Sequence, residues 1–236
     1  MAALKKTDEG LGAGAKVSLS KAAYGRFIEA LHNGCIKLGG NYTQSEICSI
    51  LEVSVTPLQN ALRILENEGF VSIRARSGIT VHRPSLNIYR ECHQLRQILE
   101  LAAVPFYVRT VTDEEIQALT DRVVAHRLST FEGLHEEEIV KEQQAIERKL
   151  HHCIIGSMNS DTIKKIYNTN WERTSVFRQW PGRLTAEYVR QTADEHLVLL
   201  RAVEARDTEG AVSALRQHML LSLDRGIMTN LYFDLQ

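Results

Sequence analysis

The stretch Ile50–Val71, ILEVSVTPLQNALRILENEGFV, decides the reading of the N-terminal third. It opens on the end of a short apolar unit, breaks at Ser54, restarts at Thr56-Pro57 and stops at Gly69. Proline lacks an N–H, so it is tolerated in the first turn of a helix, where that donor would have no intrahelical acceptor. Thr56 reads as the N-cap, with Pro57 at the first helical position. Leu58, Ala61, Leu62 and Leu65 then recur at helical spacing, and Gly69 supplies the left-handed residue that ends many helices. The pattern is two short helices joined by a turn of about three residues.

Working outward, the signals on both sides agree. Upstream, Tyr24, Phe27, Ile28 and Leu31 mark a helix that Asn33-Gly34 terminates, and Gly39-Gly40 makes a turn. Thr43-Gln-Ser-Glu46 fits a capping box ahead of a helix carrying Ile47, Ile50 and Leu51. Downstream, Phe70–Ile73 and Ile79–Val81 read as two strands around Arg74-Ala-Arg-Ser-Gly78. Helices followed by a β-hairpin in this order predict a winged helix-turn-helix over residues 18–83, with the Pro57 helix as the element offered to the DNA groove. Residues 1–17 read as a flexible tail and 84–87 as a linker.

Bulk composition bounds the rest. The chain has 236 residues, 44% apolar and 24% charged, which is ordinary for a globular protein. No run approaches the roughly 18–20 apolar residues of a membrane span. The four cysteines, Cys35, Cys48, Cys92 and Cys153, form no CxxC pair, which suits free thiols in a reducing cytoplasm. The net charge of −1 conceals an asymmetry: residues 1–86 hold 10 Lys+Arg against 7 Asp+Glu, and the remainder 18 against 22.

Beyond Asn87 no strand pattern occurs. Helices are expected over about 87–110, 113–130, 135–158, 160–179, 184–205 and 208–228, forming an all-α antiparallel bundle over 88–230. On the third of these, Glu147 and His151 lie four residues apart and share a face with Ile154 and Met158. Ionisable groups aimed inward need compensation. His196 stands 11 residues before the Asp207 turn and His218 11 after it. In an antiparallel hairpin those positions are level, each roughly 16 Å from the turn. Three imidazoles and one carboxylate suit a divalent ion, Zn²⁺ or Ni²⁺ among others. A histidine on a helical face is also commonly a plain core or surface residue. His126, His135 and His152 are expected at the surface.

The run IKLGGNYTQSEICSILEVSVTPLQNALRILENEGFVSIRARSGITVH resembles the GntR family of bacterial transcription regulators, in the FadR-like branch whose effector domain is the all-helical FCD domain. The resemblance implies DNA contacts from Thr43, Ser54, Thr56, Gln59, Asn60, Arg63, Arg74, Arg76 and Gly78. It implies metal ligation by Glu147, His151, His196 and His218, with Glu147 where the family usually has Asp. Leu95-Arg96-Gln-Ile-Leu-Glu100 is similar to the family's Arg-x-x-x-Glu run. Arg96 therefore reads either as a grip for an effector carboxylate or as a simple i,i+4 partner of Glu100; Arg173 is a second effector candidate. Val55 and Gln59-Asn60 replace arginine and Arg-Glu of the family pattern. Amide side chains read adenine edges where arginine would grip guanine. The expectation is a cytoplasmic homodimeric regulator that binds a two-fold DNA operator and senses a small organic acid through a metal. A metal-dependent enzyme acting on a carboxylate or ester, and a regulator for which the metal itself is the signal, use the same residues.

Overall fold

A computed structural model of the chain describes residues 13–74, 78–83, 85–129, 136–178 and 185–234. The chain divides into two compact units, residues 1–84 and 85–236.

The N-terminal unit holds helices α1 (Ala13–His32), α2 (Gln44–Leu51) and α3 (Val55–Asn67) and strands β1 (Asn41–Tyr42), β2 (Val71–Arg74) and β3 (Gly78–Val81). Helix α1 therefore starts inside the stretch read as tail; residues 1–12 lie outside the described residues. Phe27 and Leu31 of α1, Ile47 of α2, and Leu58 and Leu65 of α3 meet in one core with Val71 and Val81 of the sheet. The capping box is formed: the Glu46 amide donates to Thr43 Oγ1 at 3.2 Å, and Glu46 accepts from the Thr43 amide at 2.7 Å. Helix α2 stops where Glu52 turns left-handed, at φ 51°. Arg26 of α1 donates to the freed carbonyls of Leu51 and Glu52 at 2.9 and 3.0 Å.

Helix α3 begins two residues earlier than the proline suggested. Ser54 is the N-cap, in extended conformation and without a side-chain cap bond. The first intrahelical bond runs from Leu58 N–H to the Ser54 carbonyl at 3.3 Å. Pro57 thus sits third in the helix, still among the residues whose N–H would find no acceptor, so its position costs no hydrogen bond. The other end is a Schellman motif. Gly69 N–H donates to Glu66 O at 3.0 Å and Phe70 N–H to Leu65 O at 2.8 Å, with Gly69 at φ 80°.

The hairpin read from the sequence is β2–β3, and the sheet gains a further edge: β1 pairs antiparallel with β3, giving the order β1-β3-β2. Gly78 makes this possible. It stands at φ 83°, and a Cβ there would lie 2.6 Å from the Tyr42 carbonyl oxygen.

The C-terminal unit is helical throughout its described residues: α4 (Leu86–Thr110), α5 (Asp113–Ser129), α6 (Glu136–Gly156), α7 (Asp161–Arg178), α8 (Ala186–Glu204) and α9 (Thr208–Asp234). Helix α4 is central and packs on α6, α7 and α9, while α8 lies between α5 and α9. The buried stripe of α4 includes Tyr89, Cys92, Ala103, Val104 and Tyr107, and it also carries Arg96 and Glu100. At the α8–α9 turn Asp207 accepts from Gly210 N–H at 2.9 Å. Arg206 beside it donates to the carbonyls of Val108 and Val111, both at 2.8 Å. That fixes how deep the α8–α9 hairpin sits against the end of α4.

Gly78→Ala is expected to destabilise the N-terminal unit by at least about 1–2 kcal/mol, the usual cost of a left-handed side chain, with the steric clash added. Hydrogen exchange at the amides of β1 and β3 reads this directly. Unchanged protection there would show that the strand contact does not depend on the glycine.

Candidate metal centre and nucleic-acid interface

The α8–α9 turn brings His196 and His218 level, as their equal spacing from Asp207 requires. Their ring centroids are 4.7 Å apart. His151 of α6 meets both, at 5.9 and 5.2 Å. Glu147, one turn earlier on α6, places its carboxylate 3.1 Å from His196 Nε2 and 3.4 Å from His151 Nε2. One ligand atom from each of Glu147, His151, His196 and His218 lies within 4.8 Å of the others. The imidazoles are at most 1% exposed, and Glu147 retains 12%.

The chemistry of these atoms is specific. The Nε2 atoms of His151, His196 and His218 are all buried without a hydrogen-bond partner. Neither Glu147 contact has the geometry of an N–H···O bond. Leaving one such atom buried and unsatisfied costs about 1–3 kcal/mol. A shared cation would compensate all three at once. Ligands about 2.1 Å from one ion stand about 3.0–4.2 Å apart, so seating one would draw the most separated of these atoms, up to 4.8 Å apart, together by at least about 0.6 Å.

Two of the rings are aimed from behind. Glu100 Oε2 lies 2.5 Å from His151 Nδ1, and Glu195 Oε2 lies 2.9 Å from His218 Nδ1. A carboxylate at Nδ1 keeps the proton there and leaves the Nε2 lone pair facing the centre. Each carboxylate is itself held. Glu100 accepts from Tyr167 Oη at 2.6 Å and Arg96 Nε at 2.9 Å; Glu195 accepts two bonds from Arg225 at 2.6 and 2.9 Å. Gln143 approaches Glu147 at 3.5 Å and is bonded in turn to His126 at 3.1 Å.

Protonation follows from this network. Burial pushes the Glu147 carboxyl up, but the neighbouring His196 and His151 outweigh it and hold it well below the usual range. Burial also opposes the Glu100 carboxylate, and Arg96 with His151 overcomes it. Burial drives His218 down to about 4, so its ring is neutral near pH 7 and free to ligate. For His151 burial works the same way, yet Glu100 prevails and the ring is raised.

The effector candidates divide. Arg96 is 1% exposed, pairs with Glu100 and lies over Trp171 at 5.1 Å, yet its Nη2 has no hydrogen-bond partner. It thus makes the i,i+4 pair and also keeps a donor in reserve. Arg173 is half-buried on α7, where its charge acts on the Cys92 thiol. Of the histidines expected at the surface, His126 is buried, at 4% exposed, and His152 half-buried. The His152 ring packs edge-on against Trp171 and Tyr167, and burial lowers it to about 4. His135 lies outside the described residues.

On the N-terminal unit, Ser54, Thr56, Gln59, Asn60 and Arg63 are exposed along α3, and Arg74 is exposed on β2. Val55 is 53% exposed and Ile64 43%. Asn60 Nδ2 also reaches Ser20 Oγ of α1 at 3.4 Å. Thr43 is engaged in the capping box and Gly78 in the strand contact. Arg76 lies outside the described residues.

Residues 19–81 match the family described as bacterial regulatory proteins, gntR family, and residues 91–221 match the FCD domain. The chain belongs to the GntR family of FCD-containing regulators. It is a DNA-binding transcription regulator. The Nta operon transcriptional regulator of Aminobacter aminovorans is 25% identical over 202 residues, covering 82% of this chain and 90% of that protein. The regulator McbR of Escherichia coli is 22% identical over 216 residues, covering 89% and 93%. The solved E. coli McbR/YncC structure shares the fold with a TM-score of 0.73 at 20% identity, over 90% of this chain and 98% of that one. The metal-free FCD domain of TM0439 matches with a TM-score of 0.54 at 21% identity, over 64% of this chain and 99% of that one.

Within this FCD domain Tyr167 and Glu195 were not singled out from the sequence, and Glu100 was read only as an i,i+4 partner of Arg96. Glu100→Gln keeps the shape but removes the charge that Arg96 and His151 share. It is expected to cost about 3–5 kcal/mol, as breaking a buried ion pair does. Urea unfolding checks it; a shift under 1 kcal/mol would show that the pair is screened by water.

Proposed function

We propose that the protein acts as a homodimer on a two-fold DNA operator and responds to a small organic acid through a divalent ion, Zn²⁺ or Ni²⁺. Glu147, His151, His196 and His218 hold that ion. The observation that supports this best is the set of three buried Nε2 atoms with no partner, grouped beside a carboxylate. The bound ion supplies a Lewis-acidic position for a carboxylate of the effector. Arg96 donates to the same acid through its spare Nη2, while Glu100 keeps the guanidinium oriented. Glu147 reaches one methylene further than the family's aspartate, so it approaches the ion from a longer arm.

On DNA, the exposed face of α3 enters the major groove. Gln59 and Asn60 read base edges with their amides. Ser54, at the helix N-terminus, together with Thr56, Arg63, Arg74 and Arg76, meets phosphates. Thr43 and Gly78 support the reading elements from behind. Two heads bind half-sites related by the dimer axis. The effector shifts DNA affinity only by favouring one arrangement of the heads over another.

Operator binding measured with the metal stripped, with metal alone, and with metal plus a saturating acid separates the alternatives. A several-fold change appearing only in the third state supports acid sensing. A change complete in the second makes the ion itself the signal. Identical affinity in all three removes the mechanism.

Arg63→Ala is expected to weaken all DNA sequences alike and to reduce the salt slope by about 1. Gln59→Ala is expected to cost about 1–3 kcal/mol on the cognate site and to relax discrimination at one base pair. Binding assays on operator variants over a salt series read both effects. The opposite assignment, with Arg63 selective and Gln59 uniform, would reverse their roles.

A further inference from the structure

A cavity of about 440 Å³ lies away from the candidate metal centre, between the end of α4, the first half of α5 and the second half of α6. Its size falls within the range of small-molecule sites, about 300–1,000 Å³. Val111, Leu119 and Cys153 contribute apolar wall, and Ala118 lines it as well. Cys153 follows His151 by two residues, so about 200° of helix rotation separates them; α6 serves the metal centre with one face and this cavity with the other.

The polar groups of the cavity are sorted by what they already touch. Arg122 is committed to Glu142 through two bonds at 2.6 and 2.9 Å. Glu115 accepts from the Thr112 amide at 3.1 Å. Ser157 and Thr110 donate to backbone carbonyls of their own helices at 2.6 and 2.9 Å. Tyr107 is different. Its residue is 5% exposed, it lines the cavity, and its hydroxyl has no hydrogen-bond partner among the described residues. Burial raises the phenol, with Cys153 and Glu115 adding to it, so the hydroxyl keeps its proton and acts as a donor. Lys149 lines the same cavity, is exposed, and has no ion-pair partner among the described residues.

We propose that this cavity binds a small, largely apolar monocarboxylate, whose head accepts from the Tyr107 hydroxyl and meets the Lys149 ammonium while its tail covers Val111, Leu119 and Cys153. The Tyr107 hydroxyl and the Lys149 ammonium together match one carboxylate. A di- or tricarboxylate would set a further charge against apolar wall, where an unpaired charge is strongly disfavoured. None of Glu147, His151, His196 and His218 lines this cavity, so occupying it requires no metal.

Octanoate added to the chelator-treated full-length protein tests this, with alkylation of each cysteine followed by peptide mass. Octanoate is expected to slow modification of Cys153 at least five-fold and to leave the exposed Cys35 unchanged. Tyr107→Phe is expected to raise the octanoate Kd about five- to ten-fold by calorimetry. Lys149→Gln is expected to weaken octanoate but not octanamide. Ala118→Trp, checked for folding by circular dichroism, is expected to abolish binding. Three results would overturn the proposal: octanoate binding that needs metal or is lost in His196→Ala; a Tyr107→Phe protein with wild-type affinity; or protection of Cys153 that follows protein concentration and not octanoate, which would mean a second copy covers the cavity.

Discussion

A carboxylate with no access to water has to be answered by its neighbours, and Glu100 is the residue on which this constraint falls. Taking a carboxylate out of water costs several kcal/mol even after relaxation. Glu100 recovers that through Arg96 on its own helix, Tyr167 on α7 and His151 on α6. Two of the three partners come from helices that α4 holds together, so satisfying the charge and assembling the bundle are one event. The same contact fixes which nitrogen of His151 carries the proton, and hence which one faces α8 and α9. Glu195 does the corresponding work for His218. The centre is thus built from the outside inward: charged outer partners set the tautomers, and the tautomers create the lone pairs.

That order of construction explains an otherwise costly feature. The Nε2 atoms of His151, His196 and His218 are sealed from solvent without partners, as is His196 Nδ1. A fold that carries such atoms is less stable than it could be until something binds them, and a ligand that binds only the folded state adds its binding free energy to stability. An ion bound there would therefore tighten the contacts among α6, α8 and α9. Arg96 extends the coupling, because its spare Nη2 belongs to a guanidinium already clamped by Glu100 and Trp171. An acid drawn to that donor meets a preorganised group, and preorganisation reduces what binding costs.

Much of this was legible in the residues. The equal spacing of His196 and His218 from Asp207 sufficed to pair them, because a tight antiparallel turn conserves distance along both helices. Glu147 and His151 followed from i,i+4 stacking. Glu100 did not, since Arg96–Glu100 has the same spacing as a solvent-exposed salt bridge and nothing local distinguishes the two. What separates them is the partner on α7, which lies 67 residues away. His126 was missed for a similar reason: its ring is bonded to Gln143, on α6 and 17 residues away. In the N-terminal unit the proline marked the first turn of α3 but not its first residue, because three consecutive positions can lose an N–H without penalty. The β1 edge escaped because two residues carry no alternation. Gly78 was the available signal, and it stood for a close backbone approach as much as for a wing.

Helices α4 and α6, which frame the candidate metal centre, also frame the α4–α5–α6 cavity, and this limits how independent two occupants could be. Tyr107 follows Glu100 on α4 by two turns of helix, and Cys153 lies on α6 opposite His151. A ligand that shifts α6 along its axis moves both sites together, since interiors packed at crystal-like density transmit displacement and do not absorb it. Any such coupling must be reciprocal: whatever factor the cavity ligand applies to metal-centre affinity, the metal-centre ligand applies to the cavity. The magnitude depends on how far Leu150 and Ile154, both fully buried between the two faces of α6, allow the helix to move. Side chains of that kind repack in steps, so a regulator built this way would integrate two acids as a small number of discrete states and not as a graded response.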